Sequence, residues 1–134
     1  MSYWRLFYHT VWSTQDRQPL IDPAWDKELY GYLWGKANAL ECIPHAINGM
    51  PDPMHIVLSI PPRFAIASII GQLKGANSYY IDEQYLGVKF AWQGEYSVFS
   101  ISESALDNVI RYVNEQKQHH AESTLIKIFE ATPD

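Results

Sequence analysis

The chain has 134 residues, a length that predicts one domain spanning 1–134. Hydrophobic residues make up 47% and charged residues 19%, which excludes a disordered chain, and no segment approaches the ~18 uninterrupted apolar residues of a membrane span. The net charge of −5 is opposite in sign to that of most non-specific duplex-DNA binders, whose affinity comes from neutralising phosphates.

Hydrophobic periodicity and turn signals predict an α+β domain in which helices are interspersed with strands. The predicted elements are, in chain order, a strand at 1–12, a helix at 23–41, strands at 43–47 and 54–60, a helix at 63–79, strands at 88–92 and 96–101, a helix at 102–121 and a short helix at 124–131. Two adjacent strand pairs look like hairpins, which is typical of a ferredoxin-like antiparallel sheet. We expect helices on one face of this sheet and a C-terminal helix that carries Tyr112.

Three local signals set the expected ends of these elements. Asp22 can cap a helix whose first residue is Pro23. The pair Asn48-Gly49 is the strongest short hairpin signal and predicts a turn there. Ser102 is the expected cap of the last long helix.

The last long helix carries a polar group beside its buried stripe. At about 100° per residue, Tyr112, Gln116 and His119 lie on one flank, with Tyr112 and His119 nearly eclipsed. A phenol hydroxyl beside an amide and an imidazole can serve nucleophilic or metal chemistry. A solvated polar flank is the alternative, and spacing alone leaves both open.

A single histidine lies on the strand at 54–60. Residues two apart on a strand share a face, so Pro53, His55 and Val57 project together. A histidine here could ligate a metal, or it could be a half-buried, hydrogen-bonded side chain. Both interpretations stay open on these residues alone.

Five segments, in order, resemble the single-tyrosine HUH transposases, which mobilise small insertion sequences. The segments are FYHTVWSTQDRQPLI, MPDPMHIVLSIPP, QLKGANSYY, FAWQGEYSVFSISES and VIRYVNEQKQHH. They cover residues 3 to about 120. In that family a His-hydrophobic-His block follows Met-Pro-Asp and is closed by Pro-Pro, as MPDPMHIVLSIPP is here apart from its first histidine.

The resemblance assigns a role to several positions. Tyr112 matches the nucleophile, His55 the second histidine of the metal motif and Gln116 the third metal ligand. The first histidine is replaced by Pro53, whose side chain has no ligand atom. The family implies Mg²⁺ or Mn²⁺, and the substitution makes metal binding without DNA doubtful. Asp52 and His119 are the candidate substitutes.

The resemblance implies a transposase that cleaves single-stranded DNA with hairpins and transfers the strand through a covalent 5′-phosphotyrosine. It also implies a homodimer, in which the tyrosine helix of one subunit can serve the metal site of the other. Arg63, Lys74 and Arg111 lie in or next to the matching segments and are the expected DNA-binding cations. Two alternatives remain, which are a DNA-binding relic that no longer cuts and a ferredoxin-like domain with an unrelated partner.

The remaining residues bear on compartment and binding mode. The N-terminal MSYWRLFYHTVW lacks the pattern of a secretion signal, and Cys42 is the single cysteine, so no internal disulfide is possible. A reducing cytoplasm is the expected location. Aromatic residues make up 14% of the chain, which suits base stacking on single strands or a ring-rich core.

Overall fold

The computed structural model describes residues 3–13, 24, 26–49, 53–84 and 96–115. Its elements are, in chain order, strand β1 (Phe7–Trp12), helix α1 (Asp26–Ala39), strands β2 (Ile43–Gly49) and β3 (Met54–Ser59), helix α2 (Ile66–Gln84), strand β4 (Ser97–Ile101), a 3-10 turn (Glu103–Ala105) and helix α3 (Leu106–Asn114). The predicted strand at 88–92, the helix at 124–131 and residues 116–121 of the last helix lie outside the described residues.

The four strands form one sheet in the order β2-β3-β1-β4. β3 pairs antiparallel with both β2 and β1, and β1 pairs antiparallel with β4. β1 and β2 are therefore parallel and separated by β3, which is the split arrangement of a ferredoxin-like fold. The predicted fold class is confirmed.

One face of the sheet packs against α1 and α2. Alternate residues of a strand point to opposite faces, so one set of strand side chains meets the apolar stripes of both helices. The core of this layer includes Trp12, Leu29, Leu33, Ile56, Leu58, Ile69, Ile70 and Leu73. None of the described helices has the length and apolar character that a membrane crossing requires.

The opposite face packs against α3. A second cluster joins Ala46 of β2 and Val57 of β3 to Val109, Tyr112 and Val113 of the helix. Val109 and Val113 lie four positions apart on one side of the helix, as the sequence pattern predicts, whereas Tyr112, expected on the polar flank, is buried with them. The sheet thus separates two layers, with α3 alone, among the described helices, on the second.

The predicted turn at Asn48-Gly49 is wrong. Both residues belong to β2, where Asn48 pairs with His55 and Gly49 pairs with Met54. A Cβ at Gly49 would lie 2.6 Å from the carbonyl oxygen of Pro53. The glycine is therefore needed for a close approach between two backbone segments, and this need produces the same sequence signal as a turn.

The predicted helix ends also differ from the structure in two places. Ser102 precedes the 3-10 turn rather than α3, and its side chain makes no capping hydrogen bond. Its hydroxyl lies 3.3 Å from that of Ser104 instead. Helix α2 continues to Gln84, past the predicted end at 79, because no proline or capping glycine stops it after Tyr79.

Candidate functional site: a histidine pair beneath the tyrosine helix

Two histidines from neighbouring strands meet on the face that packs against α3. In the β1–β3 ladder, Val11 lies opposite His55 and His9 lies opposite Val57, so the two histidines are diagonal neighbours. The Nε2 atom of His9 lies 3.0 Å from the Nδ1 atom of His55, a hydrogen-bond distance. Their rings are nearly parallel, with centroids 5.2 Å apart and planes 28° apart.

The pair is shielded from water. The side chains of His9 and His55 are 1% and 0% exposed, and the ring of Phe99 on β4 lies 6.1 Å from that of His9. A polar group buried in this way is costly unless it is partnered, and each imidazole provides the other's partner. The pairing therefore holds both rings in a fixed geometry.

Tyr112 reaches the same face of the sheet within the same chain. It packs in one cluster with Val57, the residue two positions after His55 on β3, and is 4% exposed. Strand alternation predicts only that His55 and Val57 share a face, and helix periodicity predicts only that Tyr112 lies beside the buried stripe of its helix. The structure brings together the tyrosine helix and the histidine strand without help from a partner subunit.

Asn48 ties the end of α3 to the sheet. Its Nδ2 donates hydrogen bonds to the carbonyl oxygens of Val113 at 3.0 Å and Asn114 at 3.1 Å. These carbonyls belong to the last described turn of the helix, where backbone carbonyl groups commonly take side-chain partners. Because Asn48 is opposite His55 in the β2–β3 ladder, this clamp, formed by the two hydrogen bonds of Asn48, holds the end of the helix at the level of His55 on the sheet.

The other residues of the expected metal site are not placed together by the structure. Pro53 is buried just before β3 and contributes no side-chain donor. Gln116, Asp52 and His119 lie outside the described residues. His55 is thus the one expected ligand whose position is described.

The three expected DNA-binding cations do not form one surface. Arg63 is 2.5 Å from the carboxylate of Glu41, and this pairing raises the pKa of Arg63 and lowers that of Glu41. Lys74 is half-buried on α2, where burial lowers its pKa. Arg111 is exposed on α3, on the other side of the sheet from α2.

His9 is a site residue that the sequence interpretation missed. It is in the strand predicted at 1–12, but its contact with His55 depends on the pairing of strands 46 positions apart in sequence. The available signal was the alternation in FYHTVW, which places Phe7, His9 and Val11 on one face. Knowing that β1 neighbours β3 would have completed the inference.

The donor chemistry of the histidine pair fits part of a metal site. Imidazole nitrogen is a common ligand of divalent transition-metal ions, so His9 and His55 would be the residues to hold one, in exchange for the hydrogen bond between them. Within the described ranges, no group of three or more His, Cys, Asp or Glu side chains could hold a metal ion.

Comparison with known protein families assigns the chain to one of them. The family model described as "Transposase IS200 like" matches residues 2–116. The chain belongs to the IS200-like transposase family. In this IS200-like transposase, Tyr112 on α3 packs on the same sheet face as the His9–His55 pair, which joins two neighbouring strands.

Two curated relatives are transposases. The chain is 28% identical over 122 residues to ISDra2 transposase TnpA of Deinococcus radiodurans, a match covering 84% of this chain and 85% of that protein. It is 26% identical over 95 residues to the transposase for insertion sequence element IS200 of Salmonella typhimurium, covering 67% of this chain and 59% of that one. The family and these relatives give the chain the function of a transposase.

Two solved structures share its fold. A protein of Deinococcus radiodurans assigned as a transposase gives a TM-score of 0.71 at 24% identity, covering 87% of this chain and 95% of that one. A REP-associated tyrosine transposase bound to a REP hairpin gives a TM-score of 0.65 at 16% identity, covering 90% of this chain and 74% of that one. At these identities the structures support the fold assignment.

Proposed function

We propose that this transposase cleaves and rejoins single-stranded DNA through a covalent bond between Tyr112 and a 5′ phosphate. The observation that carries the proposal is the packing of Tyr112 on the sheet face that holds His9 and His55. A phenol nucleophile beside a fixed pair of imidazoles is an arrangement suited to phosphoryl transfer.

The proposed step exchanges one phosphodiester bond for another. The hydroxyl oxygen of Tyr112 bonds to phosphorus, and the bond between phosphorus and the 3′ oxygen of the neighbouring nucleotide breaks. The phenolic proton passes to solvent, and the released 3′ oxygen takes up a proton and becomes a free hydroxyl. Because the phosphotyrosine is itself a diester, a second 3′ hydroxyl can reverse the step and join a new strand.

His9 and His55 are the residues that we propose as holders of a divalent cation. A bound cation would neutralise charge on the phosphate oxygens. Between Mg²⁺ and Mn²⁺, the pair fits Mn²⁺ better because Mg²⁺ strongly prefers oxygen ligands. The strand motif lacks one imidazole because Pro53 stands in place of its first histidine. In this proposal His9 supplies that imidazole, and Gln116 remains the proposed third ligand.

A second candidate function is a DNA-binding relic that no longer cleaves. Two observations favour it, which are the replacement of a motif histidine by Pro53 and the 4% exposure of Tyr112. A phosphate can reach so buried a hydroxyl only along the edge of α3 or after the helix moves. The relic and the active enzyme differ in one measurable product, the covalent adduct.

The proposed partners are single-stranded DNA with hairpins and a second copy of the chain. A hairpin is the ligand of one structural relative, the REP-associated tyrosine transposase. The net charge of −5 favours stacking with single-stranded bases over broad contact with a duplex backbone. Among the described strands, β2 and β4 lie at the two edges of the sheet and offer surface for a second copy.

A strand-cleavage assay tests the proposal. Single-stranded DNA from both flanks of the gene, including its hairpins, is incubated with the protein and Mn²⁺, and covalent protein–DNA product is separated on a denaturing gel. We expect product with the unmodified protein, loss of it with Tyr112→Phe and retention with the control Tyr79→Phe, since Tyr79 is 66% exposed on α2. Binding of the DNA without any covalent product would support the relic instead.

A further inference from the structure

A pocket of about 330 Å³ opens at the end of the sheet where β1 and β2 begin and β3 ends. Its lining residues include the aromatic Trp4 and Phe7, the cationic Arg5, and the polar pair His45 and Ser59. The volume lies at the lower end of the ~300–1,000 Å³ range typical of small-molecule sites. Aromatic, cationic and hydrogen-bonding groups around so small a space match the parts of one nucleotide.

The polar pair offers a neutral hydrogen-bonding edge. The Nε2 atom of His45 lies 2.9 Å from the hydroxyl oxygen of Ser59, and the His45 ring lies 5.6 Å from that of Phe7. Burial, and secondarily the charge of Arg5, lowers the pKa of His45, so its ring is neutral at pH 7. A neutral imidazole has one donor and one acceptor nitrogen, and among the described residues its Nδ1 has no hydrogen-bond partner.

The cation of the pocket already binds a carboxylate. Arg5 is ion-paired with Glu103, and its guanidinium carbon lies 5.3 Å from the centroid of the Phe7 ring. Both side chains of the ion pair are more than half exposed, at 52% and 60%. An exposed pair of this kind contributes little stability, so a phosphate can replace the carboxylate at small cost.

We propose that this pocket binds one unpaired nucleotide of the single-stranded DNA substrate, with its base against Trp4 and Phe7, its polar edge toward His45 and its phosphate at Arg5. The inference rests on the proposed function, because it identifies a subsite for the same strand. Stacking and a single ion contact suit an acidic protein that cannot use broad electrostatic attraction.

The pocket is close to the histidine pair, because β1 and β3 each contribute residues to both places. Phe7 precedes His9 by two residues, about 7 Å, and Ser59 follows His55 by four residues, about 14 Å. Leu106, the first residue of α3, also lines the pocket and lies about 9 Å along the helix axis from Tyr112. A strand of a few nucleotides therefore spans both places, and the pocket can select a base near the cleavage position.

Titration of the full chain with each of the four deoxynucleoside 5′-monophosphates, followed by amide NMR, tests the proposal. We expect the largest shift changes at residues 4–7, 43–45, 59 and 106, with a preference among the four bases. Arg5→Gln should weaken monophosphate binding about 10-fold and leave binding of the uncharged nucleosides unchanged. Lys27→Gln removes a charge from the exposed surface of α1 and should change neither.

A second variant tests the pocket without removing a cation. Ile43 lines the pocket and is 51% exposed, so Ile43→Glu places a negative charge at its rim without disturbing the core. It should weaken monophosphate binding as Arg5→Gln does. Shift changes centred elsewhere, or equal losses in Arg5→Gln and Lys27→Gln, would overturn the proposal.

The outcome is separable from that of the catalytic proposal. Nucleotide binding at the pocket does not require the phenol hydroxyl, so Tyr112→Phe should titrate like the unmodified protein. A bound nucleotide with no covalent DNA product would overturn the catalytic role alone. Covalent product without nucleotide binding at the pocket would overturn the subsite alone.

Discussion

Removal of the Asn48 side chain should loosen α3 from the sheet. The Asn48 amide nitrogen donates to the carbonyl oxygens of Val113 and Asn114, and its side-chain oxygen accepts a hydrogen bond from the backbone nitrogen of Gly49 at 2.9 Å. Asn48→Ala removes all three contacts, while the helix keeps its apolar contacts to Val57. We therefore expect a folded protein with a less firmly held tyrosine helix.

The size of the effect follows from the exposure of the two helix contacts. A net hydrogen bond contributes about 1 kcal/mol, and the bond to Val113 is partly buried, so its loss should cost about that much. The bond to Asn114 is exposed, and water replaces it in part. The expected loss is about 1–2 kcal/mol, which lowers the Tm of a domain of this size by roughly 4–8 °C.

Urea unfolding and a thermal scan measure this loss, and two further variants control it. Asn108→Ala changes the same residue type at an exposed position of α3 and should stay within about 0.5 kcal/mol of the unmodified protein. Asn48→Asp puts carboxylate oxygens against two carbonyl oxygens and should cost more than Asn48→Ala. The role of Asn48 in holding α3 would be refuted if Asn48→Ala were as stable as Asn108→Ala, or if Asn48→Asp were as stable as the unmodified protein.

Three further predictions address the sheet, the histidine pair and the pocket. Gly49→Ala should lower the free energy of unfolding, because its Cβ would lie 2.6 Å from the Pro53 carbonyl oxygen. Gly71→Ala, whose Cβ would have no atom within 4 Å, should raise the free energy of unfolding by about 0.5–1 kcal/mol. Urea unfolding compares the two variants. Mn²⁺ should raise the Tm of the unmodified protein but not that of His9→Phe, and equal shifts in thermal scans would argue against His9 as a ligand. Because the pKa of His45 is lowered on folding, the unfolded state binds more protons below about pH 6.5, and the free energy of unfolding should fall on acidification. His45→Gln should make the free energy of unfolding less dependent on pH, as measured by urea unfolding between about pH 7 and 5.

Local patterns were sufficient for much of the fold and for part of the site. Alternation along β3 placed His55 and Val57 on one face, and the helical period of α3 placed Tyr112 beside its buried stripe. These patterns survive folding because each depends on residues close in sequence. That the tyrosine helix packs on the His55 face of the same chain is seen in the structure and does not follow from these local patterns.

Features that depend on distant pairs were not accessible in this way. The contact of His9 with His55 requires the β1–β3 register, and the role of Asn48 requires α3 to end above β2. Asn48-Gly49 matches the sequence pattern of a turn. In the structure, however, Asn48 binds the end of α3, and Gly49 allows the close approach of the Pro53 backbone. Ser102 has the chemistry of a cap, yet a 3-10 turn separates it from α3.

Identification of the residue that carries DNA after cleavage tests the central claim most directly. Single-stranded DNA from the gene flanks is incubated with the protein and Mn²⁺, the covalent product is digested with nuclease and protease, and tandem mass spectrometry locates the nucleotide-bearing peptide. We expect one modified residue, Tyr112, in the α3 peptide, linked through a 5′ phosphate. Modification of any other residue, or a linkage through a 3′ phosphate, would contradict it.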